Sequence, residues 1–424
     1  MKAHSLASFL ATTLILATGC PGNPPAAGST GAFGVVTVNG KQKMYLPLVD
    51  PNASGNGQIA VIDVGETGNG VKGASALITD IDLGTTDHAT TTGGDDTVIV
   101  AASTDNPTIW LIDPTKDKVT KTLSLGTNAG YSDFSGGGGY VTGIAMDSAN
   151  HRAILSVWNG FALLDTQSGK ITKTIQAAPS ENFGFDSAHQ RIIAPFYDCA
   201  SSTDPHGNDP GTCGTYKNTD GTVITDGLNV IDLADDTVYT YVDAKAADMT
   251  SPLGGEPDAA AADPANQAIV VPSESGDYQN VIDLSNAAFD KSKKTFTAPH
   301  QKLGNIELTG IAVEPTTHDA FLEDEGNDTV GFFRVDRAND GKGKLLTSTM
   351  PMMPNGYYWS NLGDPHGIAV TTALQGGRSV GFLVDGTRDW VARVDLEKLA
   401  GLKADANGAI ADMSSAVTFL SVTN

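Results

Sequence analysis

The chain has 424 residues, with 26 basic against 49 acidic side chains, a formal charge of −23 and a pI near 4.5. A polyanion of this kind repels phosphate backbones and anionic lipid headgroups, so nucleic acid is not an expected partner. Acidic surfaces attract cations and basic partners, and they also keep an exported protein soluble.

The N-terminus reads as an export signal. Met1-Lys2 precedes an apolar run from Leu6 to Leu16, and Ala17-Thr18-Gly19 leads into Cys20. A short basic start, a short apolar core and small residues before a cleavage point describe a secretory signal, too short for an ordinary membrane span. The ending resembles a bacterial lipobox, with Ala17 where that pattern usually carries Leu. The resemblance implies that residues 1–19 are removed and that Cys20 carries the lipid. Residues 20–33, rich in Pro and Gly, then form a flexible tether. Pro21 stands where, in that resemblance, Asp would direct retention at the inner membrane. Anchoring at the outer membrane, periplasmic or surface-exposed, is therefore the expectation.

From residue 34 to 424 one phrase, apolar residues closing on an aspartate, recurs seven times. It reads Ala60-Val61-Ile62-Asp63, Trp110-Leu111-Ile112-Asp113, Ala162-Leu163-Leu164-Asp165 and Asn229-Val230-Ile231-Asp232. It returns as Asn280-Val281-Ile282-Asp283, Phe333-Arg334-Val335-Asp336 and Ala392-Arg393-Val394-Asp395. The intervals are 50, 52, 67, 51, 53 and 59 residues. Repeats of this length, built from short β-type runs and Gly/Asp turns, predict an all-β, seven-bladed β-propeller of four-stranded antiparallel blades. Ahead of the aspartate phrase lies a second one, such as Gly143-Ile144-Ala145-Met146-Asp147 or Gly310-Ile311-Ala312-Val313-Glu314. It reads as strand a, the innermost of strands a, b, c and d. Asn39-Gly40 marks a hairpin in the first unit. A helical period is confined to Asp395–Leu402. Each unit is complete from a to d, so the ring is expected to close without sharing a blade between the termini.

The 67-residue interval holds an insertion, about 198–226, in blade four. Cys199 and Cys213 lie in it, and in an oxidising compartment they are expected to form a disulfide worth about 3 kcal/mol by chain entropy. A metal site is the alternative, since His206 stands midway and Asp204 and Asp209 flank it.

Chemistry on a propeller is expected at the channel mouth, where strands a begin. Residues just ahead of the strand-a runs read Gly34, Asp87, Thr142, Glu181, Asp258, Thr309 and His366, with Glu256, Glu307, Asp364 and His88 nearby. The ligand-binding set is thus Asp87, His88, Glu181, Glu256, Asp258, Glu307, Asp364 and His366. Converging carboxylates suit Ca²⁺, and the histidines suit another divalent metal. A wet polar rim is the plainer reading. No Gly-x-Ser-x-Gly elbow follows a strand, and no Cys-x-x-Cys-His binds haem. Gly136–Gly139 reads as a loop, and Asp324–Asp328 as a b–c turn of calcium-loop composition.

The Gly-Ile-Ala-Val-Asp-like phrase, a turn such as Asn327-Asp328-Thr329-Val330 and then Val-Ile-Asp resemble the YVTN/YncE-like seven-bladed propeller superfamily. The YVTN tetrapeptide itself is absent. The resemblance implies the fold across nearly the whole mature chain, and little about activity. The first functional expectation is a non-enzymatic, lipid-anchored scaffold that binds a ligand or envelope protein. The alternative is a metal-dependent, lactonase-like hydrolase at the channel mouth. A third is a structural envelope protein using the insertion as its partner surface.

Overall fold

The structure is a computed structural model and describes residues 33–48, 57–65, 76–83, 90–103, 108–125, 141–157, 160–178, 180, 182–197, 215–257, 259–273, 278–304, 308, 310–324, 328–335, 344–354, 356, 359, 368–372, 378–384 and 390–422. Seven sheets form a ring, each with four strands taken in chain order as a blade, and two of them extended by strands from the next blade. Blade one is Gly34–Val38, Lys41–Leu48, Gln58–Asp63 and Ala76–Ile78. Blade two is Thr90–Gly94, Ile99–Ser103, Thr108–Asp113 and Lys118–Ser124; blade three is Val141–Asp147, Arg152–Val157, Gly160–Asp165 and Lys170–Gln176. Blade four is Gly184–Asp186, Arg191–Phe196, Gly227–Asp232 and Thr237–Tyr241; blade five is Ala261–Asp263, Ala268–Ser273, Tyr278–Asp283 and His300–Leu303. Blade six is Gly310–Glu314, Asp319–Glu323, Thr329–Arg334 and Leu346–Thr349; blade seven is Ile368–Thr372, Ser379–Val384, Trp390–Asp395 and Val417–Ser421. Among the described residues, no helix is long and apolar enough to cross a membrane.

The burial pattern follows from position in the ring. Strands b and c lie between neighbouring blades and are buried on both faces, as in Ala268–Ser273 and Ser379–Val384. Strands d line the perimeter and alternate, so Lys170–Gln176 shows Lys170, Thr172, Thr174 and Gln176 outward. Inner strands crowd at the axis, which explains their small residues. A Cβ on Gly184 would sit 3.1 Å from the backbone of Ala260 and Ala262 in the next blade. The Asn39-Gly40 reversal has both residues left-handed, at φ 51° and 72°, the geometry a tight hairpin requires.

Closure needs no shared strand. Phe33, Met44, Leu46 and Ile62 of blade one pack against Val380, Phe382, Val391 and Leu420 of blade seven in one buried cluster. Each large side chain so buried contributes about 2 kcal/mol.

Two junctions carry an addition that the repeat pattern does not announce. Between strands c and d of blade five, Ala288–Asp290 and Thr295–Thr297 form a hairpin that leaves its own sheet. Its second arm lies parallel to strand d of blade four, pairing Thr240 with Thr295 and Tyr241 with Phe296. Between strands c and d of blade seven, Ala409–Ile410 pairs in parallel with strand d of blade six. The helix Leu396–Ala400, α1, falls within the expected helical stretch and is capped by Asp395, whose Oδ1 accepts from the Lys398 N–H at 3.0 Å.

Candidate functional site

Strands alternate in direction, so the ring has two unlike faces. The upper face carries the start of every strand a, the b–c connections and the d–a linkers. The lower face carries the a–b and c–d turns.

The recurring aspartates sit on the lower face and hold turns. At the end of strand c, Asp113 accepts from the Thr115 N–H at 2.8 Å, Asp165 from Ser168 at 2.6 Å, Asp232 from Ala234 at 3.0 Å and Asp283 from Ser285 at 2.9 Å. The Lys116 ammonium and these turn donors hold the Asp113 carboxyl down at about 2. A second series, Asp147, Asp186, Asp263 and Glu314, closes strand a and is buried. The last residue of each following turn, His151, Gln190, Gln267 and His318, is left-handed.

Many lower-face side chains also join one blade to the next. Lys43 reaches Asp117 of blade two at 2.8 Å, and Lys121 reaches the Ser168 carbonyl of blade three. Lys173 meets Asp236 of blade four at 2.5 Å, and Lys291 of the blade-five hairpin meets Asp235. His318 Nδ1 lies 2.9 Å from the buried Asp263 carboxylate of blade five. The phrase that reveals the fold therefore serves the fold.

The upper face differs in charge. Among the described residues, its connections hold 9 acidic and 2 basic residues, whereas the lower-face connections hold 9 acidic and 8 basic ones. The b–c turn of blade six shows the effect locally. Burial and the neighbouring Asp324 charge push the Asp328 carboxyl above its ordinary value.

Of the predicted ligand-binding set, Glu256 is described. Asp87, His88, Glu181, Asp258, Glu307, Asp364 and His366 lie outside the described residues, as do Cys20, Cys199 and Cys213. Thr142 lies inside strand a, one residue after its start, and its hydroxyl donates to the Ser180 carbonyl at 3.0 Å. Ala259 bridges Asn182 in parallel, which sets blades four and five level just after Glu181 and Asp258 in sequence.

Glu256 has an unusual backbone. Nine non-glycine residues among those described have positive φ, and eight occupy tight reversals. Glu256, at φ 53°, lies instead in the linker before strand a of blade five. Its loop is held from blade five. Asn280 Nδ2 donates to the Leu253 carbonyl at 2.9 Å, and the Ser273 hydroxyl donates to Gly255 at 3.0 Å. A strained residue fixed by its surroundings is a recurrent mark of functional positions. Among the described residues, no three His, Cys, Asp or Glu side chains gather in metal-binding range.

The described end of the blade-four insertion, residues 215–226, is built into the upper face. Tyr216 packs against Phe196 in a tilted pair, ring centroids 5.0 Å apart, and its hydroxyl accepts from the Ala178 N–H at 2.8 Å. On the other side, the Thr225 N–H donates to the Thr250 carbonyl at 2.9 Å and Asp226 accepts from the Ser251 hydroxyl. The insertion thus ties together the d–a linkers on both flanks of blade four. Sequence reading located the insertion; Tyr216, seventeen residues past Cys199, was its unread anchor.

No family model matches the chain, and no curated protein does. Solved structures share the fold. A hypothetical selenium-binding protein from Sulfolobus tokodaii superposes with a TM-score of 0.54 at 11% identity, covering 94% of this chain and 92% of that one. The WD40 domain of Toxoplasma gondii coronin gives 0.51 at 9% identity, over 85% of this chain and 79% of the other. A functionally unknown protein from Desulfotomaculum acetoxidans gives 0.50 at 11%, over 86% and 96%. These likenesses establish a seven-bladed propeller and carry no function with them.

Proposed function

We propose that this protein is an exported, lipid-anchored scaffold of the cell envelope, allied to the YVTN/YncE-like repeats, that binds a partner on its upper face without catalysis. In this reading the signal ends at residue 19, Cys20 bears the lipid, and Cys199 pairs with Cys213 in the oxidising compartment. The observation that carries it is that, among the described residues, the acids of the upper-face connections outnumber the bases 9 to 2, while below they nearly balance at 9 to 8. A solubilising charge has no need to collect on one face, whereas a docking face for a cationic partner does. The anchored insertion gives that face a fixed relief.

The test is partner capture from an envelope fraction by the full-length protein, followed by binding of the identified partner in purified form. Replacing Asp80, Asp82, Asp220 and Asp248 with Asn should lower affinity at least tenfold. The same number of changes at Asp96, Glu397, Asp405 and Asp412 below should leave it within twofold. Equal losses from both sets would refute the reading.

One observation supports a second reading, the metal-dependent, lactonase-like hydrolase: the strained Glu256 in the linker before strand a of blade five. Calcium or another divalent ion held there would activate water. Stoichiometric metal in protein never exposed to chelator, with lactone turnover lost in Glu256→Gln, is the expected result of that reading. Metal-free protein whose melting is indifferent to EDTA would remove it.

A further inference from the structure

The outermost strand of a sheet leaves a row of backbone donors and acceptors unpaired, and proteins blunt such edges by covering, shortening, bending or charging them. Six of the seven blades show one of these measures. Blade four is covered by Thr295–Thr297, and blade six by Ala409–Ile410. Strand d of blade one has three residues, Ala76–Ile78, and that of blade five has four, follows Pro299 and exposes Lys302. Strands d of blades two and three have seven residues each, but both are bulged. Lys121 and Val119 oppose the consecutive Leu111 and Ile112, and Lys173 and Ile171 oppose Leu163 and Leu164, so Thr120 and Thr172 are the extra residues. Both strands also carry lysines, Lys118 and Lys121 in one, Lys170 and Lys173 in the other.

Blade seven has none of these measures. Its strand d, Val417–Ser421, is an uncharged run of five residues, Val-Thr-Phe-Leu-Ser, with Thr418 exposed. It pairs with strand c in unbroken register, and among the described residues strand c is the one strand paired with it.

A second observation falls beside this edge. Leu77 of blade one is 54% exposed. It lies opposite Ala60, which packs in the closing cluster with Leu420 and Val422. Opposed residues of an antiparallel pair share a face, so Leu77 projects toward blade seven at the outer end of the seam. At the seams between blades four and five and between six and seven, the added strands bring buried apolar side chains, Phe296 and Ile410. Both come from the c–d connection of the following blade. In blade one that connection offers one large apolar residue, Val71, among three glycines between Gly65 and Ala76 in sequence.

We infer that strand d of blade seven is a dimerisation edge, and that its occupant is the same strand of a second copy of this chain, antiparallel and centred on Phe419. The contact is isologous, so one pairing closes both open edges. It sets Val417 opposite Ser421 and Thr418 opposite Leu420, with no charge in the pair. Self-pairing of blade two or three would bring the lysines of two copies together, which is destabilising. The second copy's strand lies in front of Leu77 and covers it. Each copy carries a formal −23, so salt screens the repulsion between them and tightens the dimer.

The test is sedimentation of the full-length protein in a non-ionic detergent across a wide concentration range, with hydrogen exchange on the same samples. A dimer is expected, and the amides of Val417–Leu420 should exchange more slowly as concentration rises. Thr418→Lys should weaken association at least tenfold and Leu77→Ser severalfold. Thr122→Lys, exposed on blade two, should leave it unchanged. A monomer at every concentration overturns the inference, as does a dimer that tolerates Thr418→Lys. Edge amides as protected in dilute monomer as in concentrated protein would show the edge closed within one chain, and overturn it too. A dimer that salt dissociates is held by charge, which overturns the strand pairing.

Discussion

The two faces of the ring are made from the same residue type put to different use. Below, aspartates and lysines meet in pairs, accept turn amides and link one blade to the next. Above, 9 acids face 2 bases among the described residues, so the local balance is absent. The difference teaches that acids which recur in register stabilise the propeller, while acids that do not recur concentrate where partners can approach. A column of conserved spacing is thus a poor guide to chemistry here, and charge sorted by strand direction is a better one.

The sharpest way to break this contrast is to remove a lower-face acid. Asp263 is fully buried and accepts from His318 and from Asn266 Nδ2, the latter at 2.8 Å. Asp263→Ala should cost about 2 kcal/mol, because it empties a buried site and takes the acceptor from two half-buried donors. Urea unfolding checks this, and a loss below 1 kcal/mol would mean the lower-face network is dispensable. Tyr216→Phe, above, removes one hydroxyl acceptor from the Ala178 N–H and should cost about 1 kcal/mol. The expected signature is faster amide exchange at Ala178 with the rest of the ring unchanged.

Acid sharpens the comparison through His300, bonded at 2.9 Å to Tyr241 between blades four and five. Burial holds the imidazole below its ordinary value of 6.5. The unfolded chain therefore binds the proton first, and stability is lost as pH falls below about 6.5 toward the folded value. Melts between pH 7.5 and 5 should show this loss, and His300→Gln should remove about 2–4 °C of it. The smallest effect is on the upper face and has the opposite sense. The Asp328 carboxyl is raised, so its contribution is present below the ordinary value of 3.8 and lost as pH rises through the folded value. Asp328→Asn should raise the melting temperature at pH 7 by no more than about 2 °C. Destabilisation at pH 7 would show that Asp328 is paired as the lower-face acids are.

What could be read from sequence was what is local. A strand c ending in an Asx turn is written within a few residues, so seven blades, the Asn39-Gly40 hairpin and the helix after Asp395 were legible. The hairpin Ala288–Thr297 has its own signal, an Asp-Lys-Ser-Lys-Lys turn between Phe289 and Phe296. Its destination, an adjacent blade in parallel register, depends on pairing no local pattern specifies. The mouth column was aligned by eye and its positions do not share one level. Thr142 lies inside its strand, and Asp87 precedes its strand by three residues. The total charge was visible at once, but the excess of acids over bases in the described upper-face connections required knowing which way each strand runs.

Because the four strands of each blade follow one another in the chain and the ring shuts by apolar contact, a whole blade is the natural unit of the fold. The blade-five hairpin and the short strand at Ala409–Ile410 qualify this. Each leaves its own blade to finish the perimeter of its predecessor, so blades four and five, and blades six and seven, are coupled by strand pairing as well as by packing. Recombination that cuts within a couple would strip an outer edge bare, whereas cuts between couples would leave both products whole.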